Sequence, residues 1–282
     1  MDAIQWPEGK KCAVMFSFDL DGDTTWENGN RGLPNGEQYI KSLSVGQYGP
    51  KRCADRILDK LDQYGVKATF FIPGVIAEHY PLVVKEISRR GHEIGFHGYL
   101  HEESTATSYE EEDATMTRCE TIIKDLTGQS MAGHRGPGGV IHDYSLRLFL
   151  EHGYLYSSNW RDSDGPFIHT IDGRQVPLVE LPKDSIFDDT AYDFYTDSAP
   201  ERYELKSPRE MLEIWKDEFD SLAAEGRMIN FVLHPQFIGR ASRVNMLSEL
   251  IGYMLSHGAW IDTNRAVAEY VLENRDLLRP DR

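Results

Sequence analysis

With 282 residues, 40% of them hydrophobic and 27% charged, the chain has the apolar content to bury a substantial core and no compositional break that would mark a linker, so a single domain over 1–282 is expected. The formal charge of −16 excludes nucleic acid as a partner, because phosphate binding needs clustered Lys and Arg, and it fits a neutral or cationic substrate better. The first ten residues lack the basic, apolar and small-residue order of a signal peptide, and no apolar run is long enough to span a bilayer; a cytoplasmic protein without a membrane partner is expected. Cys12, Cys53 and Cys119 are odd in number and widely spaced, which suits reduced core thiols.

Taken in chain order, short apolar or β-branched runs alternate with longer amphipathic ones, the pattern of an α/β protein. A first strand at 12–18 runs into FSFDLDGD, where Asp19, Asp21 and Asp23 crowd its C-terminal end. Three carboxylates so close repel unless a cation is present or one is protonated, so the motif is either a solvated acidic turn or a metal or catalytic site. A Gly- and Asn-rich stretch at about 24–50 is expected as a long loop. The segment 51–65 places Cys53, Ile57, Leu58 and Leu61 at helical spacing and closes on Gly65.

A second strand (67–72), a helix (80–91) and a third strand (92–96) lead to GFHGYLHE. There His97 and His101 stand four apart, a spacing that puts both imidazoles on one face of a helical turn, although surface histidines can share it. A helix at 108–128 precedes a fourth strand (131–134), which ends in GHRGPGG with Arg135, able to hold a carboxylate ionised or to form a structural ion pair. Strands at 154–158 and 178–182 follow, then an acidic, aromatic stretch at 184–200 expected as a second long loop. A helix at 207–226 begins with Ser207 as N-cap and Pro208 at its first position. A strand at 228–233 delivers His234, a candidate proton donor or an ordinary strand-end histidine, and a last strand is expected at 259–262. Eight strand candidates suit a closed or nearly closed barrel, whose C-terminal rim is where these groups would gather.

The ordered set SFDLDGD, HGYLH, RGP, NWRDSDGP and VLHP resembles the polysaccharide deacetylase family, also known as the NodB-homology or carbohydrate esterase family 4 group, over most of the chain. HPQFIGRASR is similar to a branch containing cytoplasmic peptidoglycan deacetylase-like proteins and metal-independent allantoinases. The resemblance implies a distorted (β/α) barrel of about seven strands and a hydrolase acting on non-peptide carbon–nitrogen bonds. It implies Asp19 as general base, Asp21, His97 and His101 as ligands of a divalent metal, Arg135 orienting Asp19, His234 as general acid and Asp164 orienting His234. Zinc is the first choice of metal, with cobalt, nickel, manganese or iron as alternatives. The substrate would be an N-acetylated sugar or a small amide, and the cytoplasmic branch implies a homo-oligomer. Leu20, inserted between the first two aspartates, leaves open which of Asp19, Asp21 and Asp23 is base and which is ligand. Gly98 stands where Ser or Thr is usual in the family, and Gly138 where its polymer-acting members place Tyr. The alternatives are an allantoinase-like opening of a cyclic amide without metal and a non-catalytic carbohydrate-binding barrel.

Overall fold

The computed structural model describes residues 4–102, 107–196, 202–203 and 205–275. From the N-terminus come β1 (Cys12–Asp19), α1 (Thr24–Asn30), α2 (Ile40–Tyr48), α3 (Ala54–Tyr64), β2 (Thr69–Ile72), α4 (Gly74–His79), α5 (Pro81–Arg89) and β3 (Glu93–Phe96). The middle of the chain supplies α6 (Tyr109–Thr127), β4 (Gly133–His134), α7 (Ser145–Glu151), β5 (Tyr156–Ser157), β6 (Phe167–Ile171) and β7 (Arg174–Glu180). Then follow α8 (Thr190–Asp193), β8 (Tyr195–Thr196), β9 (Arg202–Tyr203), α9 (Pro208–Glu225), β10 (Met228–Leu233), α10 (Pro235–Ile238), α11 (Ala241–Ser256), β11 (Ala259–Ile261) and α12 (Asn264–Glu273).

The main sheet runs β10-β1-β2-β3-β4-β5-β7-β6, with β11 also paired to β1. Every pairing is parallel except β6 with β7, and the sheet curls into a partial barrel. Eight strands lie along its path, where the resemblance implies about seven. The additional strand is β6, joined to β7 through Asp172 and Gly173, both at positive φ (52° and 73°), the conformation of a tight two-residue hairpin turn. The seam between β7 and β10 is crossed by side chains instead of a ladder: Asn230 Nδ2 donates to the Leu181 carbonyl and to Ser158 Oγ, at 3.1 and 3.0 Å. One parallel bridge, between Asp188 and Val232, adds to it.

Period-two alternation along β1 decides what faces where. Cys12, Val14, Phe16 and Phe18 join the cluster under the helices, where Phe16 stacks on Phe231 and Phe18 on Phe70, each pair with ring centroids 4.9 Å apart. Ala13 and Met15 point the other way, into an interior cluster with Phe71, Tyr156, Val179, Leu181 and Met228 that Val267, Ala268 and Val271 of α12 complete. Burial on both faces explains why the strand reads as an unbroken apolar run. Asp19 continues the interior set and so meets the barrel mouth.

Both stretches expected as long loops hold regular structure. The first contains α1 and α2, pinned where Gly46 packs against the Gly22 carbonyl with no room for a Cβ, and where Trp26 and Val45 cluster with Phe237. The second contains α8 and β8, while its residues 197–200 lie outside the described part of the chain. The helices at 108–128 and 207–226 start at capping boxes, Ser108 with Glu111 and Ser207 with Glu210, and end at left-handed Gly128 and Gly226.

Candidate active site

The polar residues of the site project from the C-terminal ends of the parallel strands, where a curled α/β sheet gathers loops at one rim. β1 ends in Asp19, and the backbone N–H of Leu20 still donates to the Phe71 carbonyl at 2.9 Å, so extended alternation persists one step further. Leu20 is wholly buried, and the two-residue spacing of Asp19 and Asp21 sends both carboxylates to the same side. Asp19 and Asp21 therefore share one site across the buried Leu20. Asp23 leaves it: its carboxylate accepts from Gln47 Nε2 at 2.9 Å, and its carbonyl accepts the N–H groups of Trp26 and Glu27 at the start of α1.

His97 Nε2 lies 3.4 Å from Asp21 Oδ1 and His101 Nε2 lies 3.5 Å from the same oxygen. That oxygen is buried and has no hydrogen-bond partner among the described residues. His97 Nδ1 meets the Arg135 carbonyl at 2.6 Å, which requires the proton on Nδ1 and turns Nε2 toward Asp21. Burial lowers the His101 pKa, despite the opposing pull of Asp21, and favours the neutral, metal-ligating form of that ring. The separations fit a shared cation, because ligand bonds of about 2.1 Å in a tetrahedral site place donor atoms about 3.4 Å apart.

The two histidines do not converge on a helical face as their spacing suggested. Gly98 has φ +74° and His101 φ +58°, so the chain makes a left-handed loop there. Glu102 ties that loop: its carboxylate accepts from the backbone N–H of Tyr99, at 3.0 and 3.1 Å, and from that of Leu100. Glycine at 98 thus answers to backbone conformation, and the side chain that fixes the loop is Glu102.

Asp19 Oδ1 accepts from Arg135 Nη1 at 2.9 Å. Arg135 is fully buried, held also by Ser158 Oγ and Asn230 Oδ1 at 3.0 and 3.3 Å, with its guanidinium carbon 4.3 Å from the Phe71 ring centre. Burial alone would raise the Asp19 pKa, but Arg135, with His97, His234 and Lys183 behind it, outweighs burial and holds the carboxyl well below the usual range.

His234 Nε2 lies 3.8 Å from Asp21 Oδ2, and its Nδ1 bonds Asp189 Oδ1 at 2.7 Å. Asp189 also accepts the His234 backbone N–H at 2.9 Å and donates its own N–H to the Val232 carbonyl at 3.1 Å. Burial opposes charge on this imidazole, but the Asp189 carboxylate, helped by Asp21 and Asp188, keeps it protonated above the ordinary histidine range.

Asp164 does not take the orienting role expected of it. Its carbonyl accepts the Met228 N–H, at the opening of β10, whereas His234 follows that strand's far end, so a whole strand separates the two. The aspartate pair in FDDT was the available signal for Asp189, but β7 and the 3-10 turn at Ser185–Phe187 were needed to bring it to the rim.

Residues 47–157 match the family model for polysaccharide deacetylase. Over that segment the chain carries a polysaccharide deacetylase domain. A peptidoglycan deacetylase of Helicobacter pylori is 25% identical to this chain over 94% of it and 98% of its own length. A solved structure of a candidate polysaccharide deacetylase from Mycobacterium smegmatis superposes with a TM-score of 0.90 at 29% identity, covering 100% of this chain and 99% of that one. The crystal structure of Puue allantoinase shares the fold, with a TM-score of 0.80 at 24% identity over 96% of this chain and 93% of its own. This domain and its deacetylase relatives place the chain among hydrolases of carbon–nitrogen bonds other than peptide bonds. Among the described residues, no helix is long and apolar enough to cross a membrane.

Proposed function

We propose that this chain is a metal-dependent amide hydrolase in which Asp21, His97 and His101 hold a divalent cation and an N-acetylated sugar or small amide is cleaved. The observation that carries the reading is the approach of two imidazole Nε2 atoms, at 3.4 and 3.5 Å, to a buried carboxylate oxygen that has no hydrogen-bond partner among the described residues. Two imidazoles and a carboxylate suit zinc first, and cobalt, nickel, manganese and iron accept the same donors.

A cation bound there supplies Lewis acidity toward the amide carbonyl and toward water. Asp19, kept ionised by Arg135, takes the proton of the attacking water on Oδ2, since Oδ1 is committed to the guanidinium. His234, protonated on Nε2 and braced on Nδ1 by Asp189, gives its proton to the departing amine as the carbon–nitrogen bond breaks. The two groups are driven to opposite protonation states by their own partners, the division of labour that acid and base catalysis demands.

Opening of a cyclic amide without metal ranks second, because it would leave Asp21 Oδ1 buried and unpaired. A non-catalytic carbohydrate-binding barrel ranks third, since base and acid candidates both stand ready. The test is elemental analysis of the purified protein beside the double variant His97→Ala/His101→Ala. Near-stoichiometric metal in the wild type that vanishes in the variant supports the reading. A wild-type chain that can be neither isolated with metal nor loaded with it overturns the reading and moves the metal-independent reaction to first place.

A further inference from the structure

Near Asp19, whose ionised form it helps to hold, the site carries a cation to which the chemistry above gives no contact with the substrate. Lys183 follows β7 by three residues and is only 6% exposed. Val179 and Leu181 line the interior cluster, and Lys183 continues their alternation toward the rim. Its side chain passes beneath the turn after β4, with Cε and Nζ 3.4 and 3.6 Å from where a Cβ on Gly139 would stand. Among the described residues its ammonium has no hydrogen-bond or ion-pair partner.

Burial is the main force on this group and brings its pKa down to about 8; Arg135 and Arg161 push the same way, while Asp19 and Asp188 resist. An ammonium enclosed without a partner is costly to the fold, and the cost is recovered when an anion arrives beside it. The anion it suits is singly charged. Asp19, Asp21, Asp188 and Asp189 crowd the same rim and would repel a phosphate dianion, whereas one carboxylate matches one ammonium.

We propose that Lys183 binds a carboxylate of the substrate, so that the favoured substrate is an amide with a carboxylate close to the scissile group, as in an N-acylated acidic sugar. This deepens the hydrolase reading and rests on it for the position of the amide. It also departs from what the chain's net charge of −16 suggests about substrates, because a buried point charge at contact distance outweighs screened surface charge.

The test compares binding of N-acetylmuramic acid and its methyl ester by calorimetry, using metal-loaded wild type, Lys183→Met and Lys183→Arg. Wild type is expected to bind the acid about 10- to 100-fold more tightly than the ester, the range for a hydrogen bond to a charged group. Lys183→Met should bring that ratio to near unity while melting no lower than wild type, and Lys183→Arg should keep part of the preference. Equal binding of acid and ester by wild type, or an unchanged ratio in Lys183→Met, overturns the proposal. Hydrolysis of neutral amides with no preference for the acid would sink it and leave the hydrolase reading standing. Lys183-dependent binding of the acid without turnover of any amide would do the reverse.

Discussion

Replacing Asp189 with Asn isolates the part of the site that the sequence motifs did not assign. The wild-type carboxylate accepts two N–H groups of His234, the ring Nδ1–H at 2.7 Å and the backbone N–H at 2.9 Å. An amide can accept only one of them with its oxygen and must turn an NH2 toward the other, so the imidazolium loses its counter-charge and one donor is left unpaired. A hydrogen bond to a charged group contributes about 1.5–3 kcal/mol, and one pKa unit is about 1.36 kcal/mol; the His234 pKa should therefore fall by about one to two units. Asp189 raises that pKa in the wild type, so the acid form persists to higher pH, and its loss must move the alkaline limb of the kcat/KM profile toward lower pH. Above that limb activity should drop about 10- to 100-fold. The assay is release of acid or amine from an N-acetyl substrate across pH, beside an NMR titration of the His234 ring, which needs no substrate. Asp164→Asn is the control and should leave both unchanged. Movement of the limb in Asp164→Asn, or none in Asp189→Asn, would refute the assignment.

The same geometry makes further predictions. Arg135→Met removes the guanidinium that holds Asp19 ionised, so the acidic limb of activity should move to higher pH; denaturant melts should show a loss of about 3–5 kcal/mol, the cost of an orphaned buried charge. The sign follows from a depressed carboxyl: its stabilisation is full at neutral pH and is lost as pH falls, so the deficit of the variant should shrink in acid. Glu102→Gln weakens the tie on the left-handed loop, and competition with a chelator should show metal affinity reduced about 10- to 100-fold. Gly98→Ala forces a Cβ onto a backbone at φ +74° and should lower stability by about 1 kcal/mol while weakening metal retention, measured by melting with and without added zinc. A variant that binds metal as tightly as wild type would show that the loop path does not set the site.

Much of the site was legible because strand periodicity is local. The alternation that buries Ala13 and Met15 in the barrel also sends Asp19 inward, and strand ends at 96, 134 and 233 deliver His97, Arg135 and His234 to one rim. Gly65, Gly128 and Gly226 marked helix ends from sequence because only a residue without Cβ takes that conformation freely. The hairpin of β6 and β7 was not among the expected elements, although the Asp172–Gly173 pair carries its signal.

What the amino-acid order determined by itself was the α/β class and the placing of Asp19, His97, Arg135 and His234 at strand ends. Tertiary structure decided the rest, because those outcomes depend on groups far apart in the chain. Asp23 departs from the group of Asp21, His97 and His101 because Gln47, twenty-four residues on, takes its carboxylate. Asp189 rather than Asp164 braces His234 because the segment after β7 crosses the seam to β10. His97 and His101 meet through a left-handed loop closed by Glu102, a path that i, i+4 spacing does not encode. Lys183 became conspicuous only once its burial, and its lack of any partner among the described residues, could be seen, for a lysine in sequence carries no sign of what surrounds its charge.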